Sequence, residues 1–245
     1  YWHTRSNSMI NANLSAFSVG KAVGRGGGPK SWQYSGTSFD ISAQDTSPRG
    51  ITWDGTYFWV AGFSSGRIYR YTSAGVYDNF SFVLSSPNGI TFDGTHLWLV
   101  RGNPYNRVYQ YSTAGTYLSN FVVSSQEADP TGVEWNGTHF WVVGDQTNSA
   151  YQYTSSGVYT GTSFSVASQD ATPHDIAWDG THFWVVGTSS DNVYQYTSEG
   201  VYTGTSFSVA SQDTTPYGLA WDGTSLWVSG ESTSSAYKYS FLPTP

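Results

Sequence analysis

The side chains that could act as acids, bases or metal ligands recur at regular intervals along this chain. Four aspartates each precede a glycine, and three more each follow a glutamine: Asp54, Asp93, Asp179 and Asp222 in the first set, Asp45, Asp170 and Asp213 in the second. Asp and Asn tolerate the left-handed conformation of tight turns and bond to their own backbone there. Since Asn136 occupies one more place in the first set, we expect structural acids that Asn can replace.

Three of the histidines also recur at equivalent positions, because His96, His139 and His182 share one repeat position. We therefore expect no catalytic or metal-binding role for them. Among the histidines of the repeat region, only His174, beside Asp175, is individual. The chain has no cysteine, which excludes disulfides, thiol catalysis and cysteine-ligated zinc. The sequence also lacks a nucleophile elbow, a His-Glu-x-x-His helix and a phosphate-binding loop. We therefore predict no catalytic cluster, no metal site and no cofactor.

A repeat positions all these residues. Five segments share one pattern: GITWDGTYFWV (50–60), GITFDGTHLWL (89–99), GVEWNGTHFWV (132–142), DIAWDGTHFWV (175–185) and GLAWDGTSLWV (218–228). In the fourth unit we predict strands at 176–178, 182–186, 193–196 and 203–209, with a hairpin turn at Asp179-Gly180. No stretch has a helical apolar period. Four strands in each unit of about 40–45 residues indicate an all-β, five-bladed β-propeller of four-stranded antiparallel blades.

The ring closure can also be predicted. The fifth unit ends after Tyr239 without a fourth strand, but residues 34–48 resemble residues 202–216. We therefore predict that an N-terminal strand at 34–42 pairs with 235–239 as the outer edge of the last blade. A sixth blade built from residues 1–33 is the alternative, although that stretch has neither the Asp-Gly turn nor the Trp-Val strand.

The repeat resembles the propeller class that includes NHL-type, lyase-like and cyclotransferase-like propellers, over residues 49–239. The resemblance implies the fold and hardly constrains the function, since the matched residues are structural. NHL-type propellers usually have six blades. A count of five is similar in architecture to tachylectin-type lectins, whose sequence motifs are not present here.

Nine of the 11 tryptophans occupy repeat positions. Sugar stacking is one use of such residues, but periodic Trp in adjacent strands is typical of packing between blades. We therefore expect these nine in the core. Trp2 and Trp32 lie outside the pattern.

Charge divides the chain into two parts. Residues 1–30 carry four basic side chains and no acid, whereas the whole chain has a net charge of -7. We predict a basic, Gly-rich N-terminal arm at 1–30, suited to self-association or to an anionic surface, and a propeller at 31–245. The acidic propeller should repel nucleic acid, and no apolar run is long enough to span a membrane. Low Lys with high Tyr and Gly favours an extracellular or particle-surface location.

Binding in a repeat protein commonly uses the positions at which the repeats differ. We expect such positions to converge at one mouth of the channel, where the short loop 85–89 should notch the rim between the first two blades. The candidate ligand-binding residues are Arg49, Phe63, Arg101, Asp145, His174, Asp175, Tyr217 and Glu231. A chance assortment of loop residues is the alternative for this set.

Two functions follow from these observations. The first is a non-catalytic binding or structural propeller, extracellular or part of a virion surface, that recognises glycans or proteins. The alternative is a lyase or hydrolase in which His174 and Asp175 form an acid–base pair and Arg49 or Arg101 holds an anion.

Overall fold

The computed structural model describes residues 29–244, which form twenty β-strands and no helix. The strands make five four-stranded sheets, each antiparallel throughout, arranged in a ring. This is the predicted five-bladed β-propeller. Residues 1–28 lie outside the described part of the chain, so the arm stays a prediction. The sixth-blade alternative is wrong, because the first and last blades contact each other directly and residues 30–33 belong to the outer strand of the last blade.

The blades are numbered in chain order, and the strands of each run from the inner to the outer edge. Blade 1 contains β2 (Pro48–Trp53), β3 (Tyr57–Gly62), β4 (Arg67–Thr72) and β5 (Tyr77–Val83). Blade 2 contains β6 (Ile90–Phe92), β7 (His96–Arg101), β8 (Arg107–Ser112) and β9 (Tyr117–Val122). Blade 3 contains β10 (Pro130–Trp135), β11 (Phe140–Gly144), β12 (Ser149–Tyr153) and β13 (Tyr159–Ser165). Blade 4 contains β14 (Pro173–Trp178), β15 (Phe183–Gly187), β16 (Asn192–Tyr196) and β17 (Tyr202–Ser208). Blade 5 contains β18 (Pro216–Trp221), β19 (Leu226–Gly230), β20 (Ser235–Pro243) and, as its outer strand, β1 (Lys30–Asp40).

Glycine lets the five inner strands approach one another around the axis. A Cβ atom added to Gly89 would lie 2.8 Å from the Cα of Gly132, and one added to Gly218 would lie 2.2 Å from the carbonyl oxygen of Arg49. Gly50 is in the same position in blade 1, whereas blade 4 has Asp175 there. The inner strands are therefore close-packed, and only one blade places a side chain at this level.

The N-terminal strand closes the ring as predicted. β1 pairs antiparallel with β20, from Lys30 opposite Pro243 to Asp40 opposite Ser235. Its Phe39 is 8% exposed and the following Ile41 is fully buried, both in the apolar cluster between blades 5 and 1. Blade 5 thus joins the two ends of the described chain.

Trp32 completes that closure. In each of the other blades, a turn glycine precedes the first Tyr of the outer strand by two residues. This glycine packs against a Phe of the preceding blade, as Gly200 does against Phe164. Blade 5 has no such turn, because its outer strand comes from the other end of the chain. Trp32 occupies the place of the glycine and stacks on Phe207, with ring centroids 5.6 Å apart and planes at 17°.

Aromatic side chains fill the space between blades. The five second-strand tryptophans are 0–7% exposed: Trp59, Trp98, Trp141, Trp184 and Trp227. Phe140 of blade 3 lies 4.5 Å from Trp98 of blade 2 between ring centroids, and Phe183 of blade 4 lies 4.9 Å from Trp141 of blade 3. These contacts confirm packing as the role of these five. The four first-strand tryptophans are half-buried instead and pack against the edges of the same clusters: Trp53, Trp135, Trp178 and Trp221.

The Asp-Gly turn acids are structural, as expected, but they do more than shape the turn. Asp179 accepts hydrogen bonds from the backbone amides of Thr181 and His182 through Oδ1, and from the indole Nε1 of Trp184 through Oδ2 at 2.8 Å. Three other turn acids hold their tryptophans in the same way. Asn136 keeps the backbone bonds, but the indole nitrogen of Trp141 is buried without a partner. Asn therefore replaces Asp in the turn itself, as expected, but not in the hydrogen bond to the tryptophan.

The acids of the second set also have a structural role. Asp213, 2% exposed, accepts hydrogen bonds from the backbone amides of Thr215 and Thr233 and from the Thr233 hydroxyl. Asp45 and Asp170 bind their own blades similarly. Glu127 does the same in blade 3, and blade 2 has no such acid because its loop is shorter.

Candidate functional site

The first residues of the inner strands converge at one end of the channel. They enclose a cavity of about 180 Å³. The cavity is lined by Arg49, Asn88, Gly89, Asp129, Thr131, Asp145, His174, Asp175 and Tyr217. Every blade contributes to it, and five of the eight candidate ligand-binding residues are among the lining groups. We call this cavity the mouth cavity.

Arg49 is the centre of one side of the mouth. Its guanidinium carbon lies 3.4 Å from the ring centroid of Phe63 and 4.8 Å from that of Tyr217. Its Nε donates to Glu231 Oε1 at 3.1 Å, and its Nη1 donates to Asn88 Oδ1 at 2.9 Å. Phe63 and Glu231 therefore join the site through Arg49, whose positive charge is already paired.

Arg101 is not brought to the mouth cavity. It is 7% exposed, its Nη2 donates to Ser85 Oγ at 2.9 Å, and its guanidinium stacks on Tyr105 at 3.4 Å from the ring centroid. The other blades have glycine at this position. Each of these glycines packs against the buried acid in the loop before the first strand of its blade, as Gly62 packs against Asp45. Blade 2 lacks that acid, and Arg101 fills the space instead, with its Nε buried and without a hydrogen-bond partner among residues 29–244.

His174 is buried and neutral. Its Nε2 shares a hydrogen bond with Thr188 Oγ1 at 3.0 Å, and its ring lies 4.0 Å from that of Tyr217. Burial, followed by the nearby charge of Arg49, lowers the pKa of His174 to about 4. Its Nδ1 is buried and has no hydrogen-bond partner among residues 29–244.

Asp175 forms no hydrogen bond with His174. Its Oδ2 accepts from the backbone amide of Leu219 at 2.9 Å and its Oδ1 from that of Ile176 at 3.0 Å, so it ties blade 4 to blade 5. The residue is 1% exposed, and burial raises the pKa of its carboxyl well above the ordinary value. The structure therefore does not assemble the predicted acid–base pair.

The opposite side of the mouth is acidic. The carboxylate of Asp145 accepts no hydrogen bond from another described residue, and burial, then the charges of Asp129 and Glu127, raises its pKa. Asp129 uses Oδ1 to accept from the backbone amide of Asn103 at 3.0 Å. Asp129 was not among the sequence candidates, although it stands where the other blades have Ser or Thr.

Glu134 is a second residue that the sequence analysis missed. It projects from β10, where its Oε2 accepts from Thr91 Oγ1 at 2.8 Å and its Oε1 from the backbone amide of Trp178 at 3.0 Å. Enclosure between three blades raises its pKa to about 8, although part of the side chain stays accessible. The other blades have Thr or Ala at this position. The single acid among the five repeats was therefore the sequence feature that could have identified Glu134.

A cleft adjoins the mouth cavity between blades 1 and 2. It has a volume of about 370 Å³, and Arg49, Asn88 and Asp129 border both spaces. Phe63, Ser86 and Tyr105 form its other walls. The cleft lies where the short loop 85–89 was expected to notch the rim. Together the two spaces reach the size range of small-molecule sites.

Two further properties concern the described residues alone. Within 29–244, no three His, Asp or Glu side chains are grouped closely enough to hold a metal ion. The same part of the chain contains no helix that is long and apolar enough to cross a membrane.

Comparison with known proteins identifies the fold and not the function. No family model and no curated protein sequence matches the chain. Among solved structures, virginiamycin B lyase from Staphylococcus aureus is 23% identical, with a TM-score of 0.52 over 81% of this chain and 68% of that one. A glutaminyl cyclase from Myxococcus xanthus is 13% identical, with a TM-score of 0.70 over 89% and 100%. A nidogen–laminin complex is 13% identical, with a TM-score of 0.54 over 77% and 74%. At such identities the likeness shows that the chain is a β-propeller, a fold shared by enzymes and by binding proteins.

Proposed function

We propose that the protein is a binding propeller that takes a small polar group of a glycan or a protein into the mouth cavity and catalyses no reaction. The observation that carries this proposal is the convergence of unlike side chains from all five blades on one concave site. The acids that repeat around the ring are committed to turns and loops, so the groups that differ between blades remain for recognition.

The lining suits a hydroxylated ligand. Asp145 and the second oxygen of Asp129 offer acceptors, and Tyr217 offers an aromatic edge. The Thr131 hydroxyl donates to the carbonyl oxygen of Pro173 at 3.0 Å and can therefore accept from a ligand. Sugars need donors and acceptors beside a stacking surface. The cavity of about 180 Å³ has room for a single small residue, and the adjoining cleft has room for its continuation.

The same geometry disfavours the lyase or hydrolase alternative centred on His174 and Asp175. A general base must reach its substrate and stay near its orienting partner. Here the His174 ring is covered by Tyr217, and both carboxylate oxygens of Asp175 accept hydrogen bonds from backbone amides. The residues are adjacent in sequence but serve separate contacts.

The test is a glycan array with the wild-type protein and two variants. Asp145→Asn removes the unpartnered carboxylate of the mouth and should reduce binding at least tenfold. Glu199→Gln removes one charge from an exposed turn of blade 4 and should leave binding unchanged. Single-site affinity should lie in the range of roughly micromolar to millimolar, with strength gained by multivalency.

Two results would contradict this function. One is equal binding by D145N and wild type to every ligand found. The other is turnover, in a broad lyase and hydrolase screen, that disappears in His174→Ala. An extracellular or particle-surface location and self-association through residues 1–30 belong to the same proposal, and light scattering of the full chain and of a chain starting at Lys30 tests the latter.

A further inference from the structure

A second open site lies between blades 4 and 5, at the hairpin end of the strands and away from the mouth cavity. This groove has a volume of about 320 Å³. Its principal walls are Trp32, Asp179, Trp184, Gln195, Trp221 and Phe241. We call it the blade 4 groove.

The equivalent place in blade 5 is occupied by a lysine of the chain itself. Lys238 Nζ lies 3.0 Å from Asp222 Oδ2 and 5.6 Å from the ring centroid of Trp227. The same Oδ2 accepts from Trp227 Nε1 at 2.8 Å. One carboxylate oxygen thus holds both an indole and an ammonium group, and the aromatic ring lies beside the cation.

Strand register identifies the corresponding residue in every blade. The third-strand residue paired with the second-strand tryptophan is Arg70, Gln110, Gln152, Gln195 or Lys238 in blades 1 to 5. Arg70 also covers aromatic rings, with its guanidinium carbon 4.5 Å from the centroid of Tyr57 and 5.5 Å from that of Trp59. Arg70 forms its ion pair with Asp78, at 2.7 Å, and not with the turn acid Asp54. Blade 5 therefore supplies a cation to its turn acid, blade 1 supplies one to its aromatic rings, and the other three blades have a neutral amide.

Blade 4 retains the rest of the arrangement. Asp179 Oδ2 accepts from Trp184 Nε1 at 2.8 Å, as Asp222 does from its own tryptophan, but Gln195 brings no charge. The Gln195 Oε1 atom instead accepts from Thr203 Oγ1 at 2.9 Å. The groove therefore has the acid and the aromatic environment without the cation.

The aromatic wall is larger in blade 4 than elsewhere because Trp32 comes from the closing strand. Its centroid lies 6.3 Å from that of Trp221, with planes at 68°, and 5.9 Å from that of Phe241, with planes at 51°. Phe241 is 52% exposed. These rings form three differently oriented walls, and such walls favour a cation through their quadrupoles.

Blades 2 and 3 fit a cation less well. Blade 3 has Asn136 in place of the acid. In blade 2, the ring of His96 lies nearer the acid, with Nδ1 3.5 Å from Asp93 Oδ2, whereas the nearest histidine nitrogen in blade 4 is 3.9 Å from Asp179 Oδ2. Blade 2 has an equivalent groove of about 370 Å³ beside Asp93, but three aromatic rings line it, those of Trp98, Trp135 and Phe140, against four in blade 4. Blade 4 thus combines the acid and the open space with the larger aromatic wall.

We propose that the blade 4 groove binds an alkylammonium group, in the way that blade 5 holds Lys238. The carboxylate of Asp179 supplies a charge-assisted contact, and the indole and phenyl rings supply cation–π contacts. A primary or a quaternary ammonium on a short alkyl chain fits the available space. Contacts of this kind give an affinity in roughly the millimolar range.

The experiment is an NMR titration of protein labelled with ¹⁵N at its tryptophan indoles. The probes are n-butylammonium chloride, choline chloride and 3,3-dimethylbutan-1-ol, the last being an uncharged isostere of choline. Both ammonium ions should shift the indole signal of Trp184, and the alcohol should bind at least tenfold more weakly. A larger shift with butylammonium would assign most of the binding energy to Asp179. A larger shift with choline would assign most of it to the aromatic rings. Both results support the site.

Two variants of equal charge separate the groove from the surface. Gln195→Lys places the residue of blade 5 into blade 4, should fill the groove and should weaken ammonium binding at least tenfold. Gln152→Lys adds the same charge beside Asn136 and should leave binding unchanged. Equal ammonium binding by Q195K and wild type, equal binding of the neutral alcohol, or no shift with either ion far above millimolar concentration would overturn the proposal. If Q195K proved unfolded, Phe241→Ala at the exposed wall should give the same weakening, and unchanged binding by F241A would then overturn it.

Discussion

Replacing Asn136 with Asp should stabilise this protein, because one buried indole N–H lacks a partner. Trp141 is 2% exposed and its Nε1 has no hydrogen bond, whereas an aspartate accepts from the indole of the tryptophan in each of the other four blades. The Asn136 carbonyl oxygen already accepts from the backbone amides of Thr138 and His139. Its remaining group is an NH₂, which cannot accept from the indole.

The magnitude follows from that single missing bond. A buried donor without a partner costs about 1–3 kcal/mol, and a hydrogen bond to a charged group contributes about 1.5–3 kcal/mol. Part of this gain is offset by burying a carboxylate, so we expect N136D to raise the unfolding free energy by about 1–2 kcal/mol. For a chain of this size, each kcal/mol raises Tm by about 2–4 °C.

The gain should depend on pH. Burial raises the pKa of Asp93, but the bonds from the Trp98 indole and from the backbone amides outweigh that effect and hold the pKa below its ordinary value; Asp222 behaves in the same way. A carboxyl with a lowered pKa in the folded state stabilises above its unfolded pKa, and that contribution is lost as the pH falls through the folded pKa. The advantage of N136D should therefore be full at pH 7 and should disappear well below pH 4, roughly the ordinary value for Asp.

The assay is urea denaturation of wild type, N136D and Asp179→Asn at pH 7 and at low pH. Asp179→Asn removes the matching bond to Trp184 and should lose about 1–3 kcal/mol at pH 7. An unchanged midpoint in N136D at pH 7, or a gain that persists at low pH, would refute the assignment of the indole–carboxylate bond.

Four other changes test the fold and the channel. Deleting residues 1–45 should lower the unfolding free energy by several kcal/mol in denaturant melts, since a whole strand with Phe39 and Ile41 is lost; melting like the full chain would contradict the closure. His174, with a pKa of about 4, binds fewer protons when folded, so stability should fall by roughly 3 kcal/mol between about pH 6.5 and 4, and His174→Gln should remove this slope. Burial raises the pKa of Glu134 to about 8, so the folded state binds more protons than the unfolded state between about pH 4.5 and 8 and loses stability as the pH rises through that range. Glu134→Gln should therefore be about 1–3 kcal/mol more stable than wild type at pH 7 and equal to it below about pH 4.5. A loss of stability in E134Q at pH 7 would show that the charge of Glu134 is tolerated. Gly218→Ala should melt at least several degrees lower by calorimetry, since its Cβ would lie 2.2 Å from a backbone oxygen; an unchanged Tm would mean that the inner strands can separate.

The architecture could be predicted from the sequence because every unit repeats the same short-range pattern of strand and turn residues. Alternating apolar residues, Asp-Gly turns and a fixed spacing determine strands and hairpins within one blade. Five copies then determine the blade number, and the missing outer strand of the last copy determines the closure by β1. Each of these features depends on neighbours within about 45 residues, or on a comparison of one copy with another.

The candidate site was only partly predictable, because its contacts join residues from different blades. The sequence marked Arg49 and Tyr217 as exceptions to the repeat, but it did not show that Glu231, 182 residues from Arg49, pairs with its charge. It also marked Arg101 as an exception, but it did not show that this side chain fills the space left by the missing loop acid of blade 2 and stays out of the mouth cavity.

The sequence alone therefore determined the strands and turns of each blade. The tertiary structure decided the surroundings of the side chains that differ from one blade to another. Asp175 and His174 are adjacent in the chain, yet one faces the backbone of blade 5 and the other stacks on a ring. Glu134 gains a pKa of about 8 only because three blades enclose it. Burial and long-range charge are properties of the closed ring, since no segment of the chain has them before the blades meet.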